Sequence, residues 1–146
     1  MRYPLLAVLL LAAAAPAHTQ QRAAPFTIAE TGQSFNVLQE AVNALKGGDG
    51  TIRIASGTYR DCAVVVSGRV AFVAVEAGKA VFDRAICEDK ATLVLRGTAA
   101  RVEGIVFRHT SVAYGNGAGI PIEKGDLSVG KASFLDGQGR DLWGER

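Results

Sequence analysis

The chain has 146 residues, 49% of them apolar and 21% charged, with 17 glycines and 7% aromatics, which describes one globular domain and excludes disorder and collagen. Lys+Arg at 16 against Asp+Glu at 14 gives a net charge of +2 with the basic residues scattered singly, so nothing marks a nucleic-acid partner. All the glycines lie beyond residue 31, which suits a chain that turns often between short strands.

In chain order, Met1-Arg2-Tyr3-Pro4 puts a positive charge ahead of the apolar run Leu5 to Ala15, and Ala15-Pro16-Ala17 supplies small residues for cleavage. That is the layout of a secretory signal peptide over 1–17, and it predicts a secreted or periplasmic protein cleaved near Ala17. The run is shorter than the ~20 apolar residues of a membrane span, so no membrane insertion is expected after cleavage. An uncleaved anchor or a buried N-terminal helix is the other reading. Residues 18–25 lack periodicity and read as a flexible leader, with a folded domain over 26–146.

Leu38, Ala41, Val42 and Leu45 recur at helical spacing, predicting one amphipathic helix over 36–46. Asn36 would cap it, Gln39 would complete the reciprocal bond, and Gly47 would stop it. From Thr51 the period changes to two, or to short apolar runs between glycines: Thr51 to Ala55, Ala63 to Val66, Val70 to Val75, Ala80 to Phe82, Ala91 to Leu95, Val102 to Phe107, Gly119 to Ile122, Leu127 to Val129 and Ala132 to Leu135. A sandwich or barrel would accept this pattern. A longer repeat chooses between them: Cys62 and Cys87 are 25 residues apart, Phe82 and Phe107 are 25 apart, and Phe107 and Phe134 are 27 apart. Such spacing predicts an all-β solenoid, a right-handed parallel β-helix of about three to four coils from residue 51, with the helix as its N-terminal cap.

Stacked positions would bring the Cα atoms of Cys62 and Cys87 to ~4.8 Å, inside the range a disulfide tolerates, and an exported chain meets an oxidising compartment. A Cys62–Cys87 bridge is predicted, with two packed free thiols as the alternative. Two thiolates lack the further ligands zinc requires, so no metal site is expected.

The segments Phe35 to Leu45, Gly48-Asp-Gly-Thr-Ile-Arg-Ile54, Gly57-Thr-Tyr59 and Asn116-Gly-Ala-Gly-Ile120 resemble the opening of bacterial right-handed parallel β-helix proteins of the pectate-lyase-like superfamily, over roughly residues 33 to 136. The resemblance implies polysaccharide as partner, and lyase or glycoside hydrolase chemistry were the chain active. It also implies further coils, so the chain reads as the N-terminal part of a longer protein, or as one that self-associates through an open C-terminal coil.

In such lyases clustered carboxylates hold Ca²⁺ and an Arg or Lys removes a proton, whereas the hydrolases use pairs of Asp. Here Ca²⁺ enters only through the resemblance, because no three carboxylates recur at a suitable spacing, and no other cofactor is implied. The repeat stacks Asp83 with Arg108, Arg84 with His109, and Asp136 above His109. Asp83, Arg108 and His109 are therefore the candidate catalytic residues, and an ordinary exposed ion pair is the simpler reading. Asp61, Glu88 and Asp89 read as turn residues. Gly115 to Gly119 lacks the lysine and the helix of a phosphate loop and reads as a turn in which Asn116 bonds backbone groups. The functional expectation is a polysaccharide-contacting domain with no catalytic site evident, the alternative being a structural or adhesive repeat domain.

Overall fold

The fold is that of a computed structural model, which describes residues 23–113, 117–137 and the backbone of Leu142–Gly144. The segment read as a signal peptide, most of the segment read as a leader and the turn expected at Asn116 lie outside the described residues. Folded structure opens with two short strands, β1 (Phe26–Ile28) and β2 (Ser34–Phe35), which pair antiparallel through a turn where Gly32 adopts φ 74°. The helix α1 (Leu38–Ala44) follows. Then come β3 (Gly50–Ile54), β4 (Gly57–Tyr59), β5 (Ala63–Val65), β6 (Arg69–Ala74), β7 (Ala80–Asp83), β8 (Leu93–Leu95), β9 (Ala99–Glu103), β10 (Ile105–Arg108), β11 (Ile120–Ile122), β12 (Asp126–Gly130), β13 (Ser133–Leu135) and β14 (Leu142–Gly144).

These strands form three separate sheets. Sheet A runs β12-β9-β6-β3-β1-β2, sheet B β13-β10-β7-β4 and sheet C β14-β11-β8-β5. Pairing is parallel throughout B and C, whereas β1 joins both β2 and β3 antiparallel, so sheet A is mixed. The spacings of 25 and 27 residues are registers within sheet B, where Phe82 lies beside Phe107 and Phe107 beside Phe134. In sheet A the steps are 20, 30 and 27, with Gly50 beside Val70, Arg69 beside Ala99, and Ala99 beside Asp126.

The expected single all-β solenoid, a right-handed parallel β-helix with one repeat length, is thereby corrected to a β-rich fold that, among the described residues, has three sheets, mixed and parallel, and one helix. The physical reason is that hydrogen-bond ladders, not sequence period, decide which strands pair. The unequal connections, such as the segment from Arg84 to Thr92 between β7 and β8, make the step between paired strands vary within each sheet.

Alternation supplies the core. Along β3, β6 and β9 the side chains of Ile52, Ile54, Phe72 and Val102 are fully buried, while Arg53, Arg69 and Arg101 stand outside. Phe26, Phe82 and Phe107 are buried and stack with Phe134 in an aromatic row that Tyr59 joins with a tilted ring, with ring centroids 5.1 to 6.5 Å apart. The predicted strand Val102 to Phe107 is two strands, because Gly104 at φ 72° bends the chain from sheet A into sheet B. A side chain there would meet the Ala77 backbone at 3.0 Å.

The helix is shorter than expected and is capped differently. Val37, not Asn36, occupies the cap position and offers no side-chain bond. The Leu38 N–H instead donates to Asp61 Oδ2 at 2.7 Å. Gln39, expected to serve the helix terminus, turns to β5: its Oε1 accepts from the Val64 N–H at 2.7 Å and its Nε2 donates to the Val64 carbonyl at 3.1 Å. Lys46 and Gly47 take φ 52° and 75° and end the helix. Leu38, Ala41 and Val42 are buried, and α1 packs on β5, β1 and β2. No helix among the described residues is long and apolar enough to cross a membrane.

Candidate functional site

The turn leaving sheet B gathers the predicted residues. Asp83 closes β7 and Arg108 closes β10 as its register partner. The next residues, Arg84 and His109, are held in the left-handed region at φ 54° and 53°, as is Asp136 at φ 54°. The Arg84 N–H donates to the Arg108 carbonyl and the His109 N–H to the Leu135 carbonyl, each at 3.0 Å, so successive turns hang on one another. This bend lets His109 reach back to Asp83. Its Nδ1 lies 2.7 Å from Asp83 Oδ1, Arg108 Nη2 donates to Oδ2 at 3.1 Å, and His109 Nε2 faces Asp136 Oδ2 at 3.5 Å.

An ionised carboxylate only accepts, so the proton of this bond sits on His109 Nδ1. The His109 hydrogen bond and the Arg108 guanidinium together hold the Asp83 carboxyl below its ordinary value. Side-chain exposure is 16% for Asp83 and 39% for His109. Chemically the set can orient a histidine with a carboxylate, as general bases require. The hydrogen bond to the His109 ring runs diagonally, from Asp83.

Cys62, just after β4, and Cys87, in the segment between β7 and β8, are joined by a disulfide with a Cα separation of 5.6 Å. Beside it lies an ion network that the spacing arguments miss. Arg96 donates through Nη1 and Nη2 to Glu88 and through Nε to Glu123, whose other oxygen accepts from Lys90. Two cationic donors hold the Glu123 carboxyl down to about 2, Arg96 likewise holds Glu88 low, and the two carboxylates raise Arg96. Glu88 is thus more than a turn residue: it and Lys90 tie the Cys87 segment to the ends of β8 and β11. Asp61 also does more than turn, since Oδ1 accepts from the Cys62 N–H at 2.9 Å while Oδ2 serves α1.

The third feature is a groove of about 610 Å³ across the outer face of sheet A. Of its lining residues Ala71 and Ala99 are small and lie on the outward-facing register, and its charged and hydroxyl groups include Glu30, Asp49, Thr51, Arg69, Arg101, Asp126 and Ser128. Thr51, Ala71, Arg101 and Ser128 face outward at one register, one from each of β3, β6, β9 and β12. Glu30 Oε2 accepts from the Thr51 N–H and Asp49 Oδ1 from the Arg69 N–H, which holds both carboxylates at the rim. Strand alternation predicts that these residues point outward; that four strands align them does not follow from the sequence, because the steps between them differ.

Among the described residues no group of three or more His, Cys, Asp and Glu is placed to hold a metal ion. Comparison with family models, with curated proteins and with solved structures returns no match in any of the three.

Proposed function

We propose that this chain is a secreted or periplasmic domain that holds a polysaccharide along the sheet A groove without cleaving it. The observation that carries the reading is the groove itself: the small side chains of Ala71 and Ala99 lie between guanidinium, carboxylate and hydroxyl groups that are spread across four strands, over ~14 Å at the usual strand spacing. An extended polymer of hydroxyl-bearing rings meets such a surface with apolar ring faces below and hydrogen bonds at the sides. The resemblance of Phe35 to Leu45, Gly48 to Ile54 and Gly57 to Tyr59 to the pectate-lyase-like superfamily supports polysaccharide as the ligand class. The Cys62–Cys87 disulfide and the segment over 1–17 support the oxidising compartment. The Asp83–His109 pair lies in sheet B, not in this groove, and serves here as a brace between turns.

Affinity electrophoresis through gels containing polyuronates or neutral glycans tests the proposal. At least one polymer retards the protein, and Arg101→Ala or Arg69→Ala weakens retention by about tenfold, taking ~1.5 kcal/mol for each charge-assisted bond. Unsaturated products and reducing ends stay at background. Absence of retention on every polymer overturns the proposal and leaves a structural or adhesive domain.

A further inference from the structure

We propose that the polymer held in the sheet A groove is a glycan carrying ammonium groups, an amino-sugar polymer with free amines, and not a polyuronate; this rests on the groove being the glycan site proposed above. What selects the class is the charge left once the ion pairs within the sheet are counted. Three carboxylates, Glu30, Asp49 and Asp126, and two guanidiniums, Arg69 and Arg101, line the groove. Arg69 Nη1 lies 3.7 Å from Asp49 Oδ2. Arg101 turns along its own strand and pairs with Glu103, two residues on and on the same face of β9. Both guanidiniums therefore have a counter-charge beside them, whereas Glu30 and Asp126 form no ion pair among the described residues.

The two remaining carboxylates lie where a polymer crossing the strands would meet them. Glu30 is fixed beside β3, since its Oε2 accepts from the Thr51 N–H at 3.0 Å, and that bond holds its carboxyl below the ordinary value. Asp126 opens β12. Three strand steps separate β3 from β12, so ~14 Å lies between the two acidic positions, with Arg69 on β6 and Arg101 on β9 between them. Both acidic residues are exposed. An ammonium group set at either one gains a charge-assisted hydrogen bond, whereas the carboxylate of a uronate set there meets like charge. The guanidiniums keep N–H groups beyond those in their ion pairs, and these serve hydroxyls, which every glycan offers. The sign of the groove is also opposite to that of the chain, whose net charge is +2. General attraction favours a polyanion, so a preference for an ammonium-bearing polymer has to come from the groove itself.

Titration calorimetry with three oligosaccharides of equal length tests this: a glucosamine oligomer with free amines, its N-acetylated and uncharged counterpart, and a galacturonate oligomer. At a pH where the amines are protonated, the glucosamine oligomer binds about fivefold tighter than the N-acetylated one, on the scale of one or two exposed ion pairs, and the galacturonate oligomer binds weakest. Added salt narrows the gap, and so does raising the pH until the amines lose their protons. Glu30→Gln, which keeps an oxygen for the Thr51 N–H, and Asp126→Asn together bring the first two affinities to within about twofold. Equal affinity for the first two oligomers in the unaltered protein, tighter binding of galacturonate, or a preference that survives the double variant overturns the proposal and leaves the groove a glycan site. Failure of all three to bind overturns it as well, and if no polymer retards the protein in the gels either, the reading of the groove falls with it.

Discussion

The two ends of the sheets carry the same kind of strand and treat its edge differently. At the first end side chains meet backbone donors one by one: Glu30 takes the Thr51 N–H, Asp49 the Arg69 N–H, Asp61 the Leu38 N–H, and Gln39 both groups of Val64. At the far end β12 and β13 present outer edges with no strand beside them among the described residues. Parallel sheets do not end by themselves. Each end needs donors and acceptors that are not strands, or else another strand, because an unpaired backbone group out of water costs about as much as a lost hydrogen bond.

The largest expected contrast is in the aromatic row. Phe26→Ala, at the first end where the ring is 1% exposed, lowers unfolding free energy by ~3–5 kcal/mol, and Phe134→Ala, half-buried in β13, by roughly half of that. Urea denaturation of both variants checks the ratio, and equal losses would remove the difference between the ends. Next comes the edge itself. Gln39→Ala leaves the Val64 N–H and C=O without partners and costs ~1–3 kcal/mol, with faster hydrogen exchange at Val64 than elsewhere in sheet C. Ser128→Ala, on a strand edge where no side-chain bond is formed among the described residues, is expected to be close to neutral.

The smallest effect is electrostatic and belongs to the middle of sheet C. Glu123 falls from an ordinary 4.5 to about 2 on folding, through Arg96 and Lys90. A depressed carboxyl adds stability that is fully present above its unfolded value and disappears as pH drops through the folded one, so this contribution fades between about pH 4.5 and about 2. Glu123→Gln flattens the acid limb of a stability–pH curve over that window. Asp83→Asn acts in the same direction through the loss of its His109 and Arg108 partners. Thermal unfolding measured across this range decides both.

Much of the local order is legible in the residues. The apolar runs at Ala63, Val70, Ala80 and Leu127 mark strands, the stripe of Leu38, Ala41 and Val42 marks the helix, and equal spacing brings Asp83 to Arg108 and Phe82 to Phe107. The strands at Phe26 and Ser34 escape notice because two or three residues show no period. The Arg96 network escapes because Glu88, Lys90 and Glu123 meet only when the Cys87 segment folds over the ends of β8 and β11. The diagonal bond from His109 to Asp83 depends on left-handed backbone at His109, which no spacing encodes.

Composition, alternation and spacing by themselves determined which faces are apolar, where the chain turns, and that two cysteines 25 residues apart can meet. Only the tertiary structure decided the division into three sheets, the antiparallel closure by β1, the diversion of Gln39 from its helix to a strand edge, and the alignment of Thr51, Ala71, Arg101 and Ser128 into one groove. The reason is physical. Burial is a property of each residue and its near neighbours and leaves a periodic trace, whereas hydrogen-bond pairing between distant segments depends on connection lengths and on the backbone direction at each bend, and these leave none.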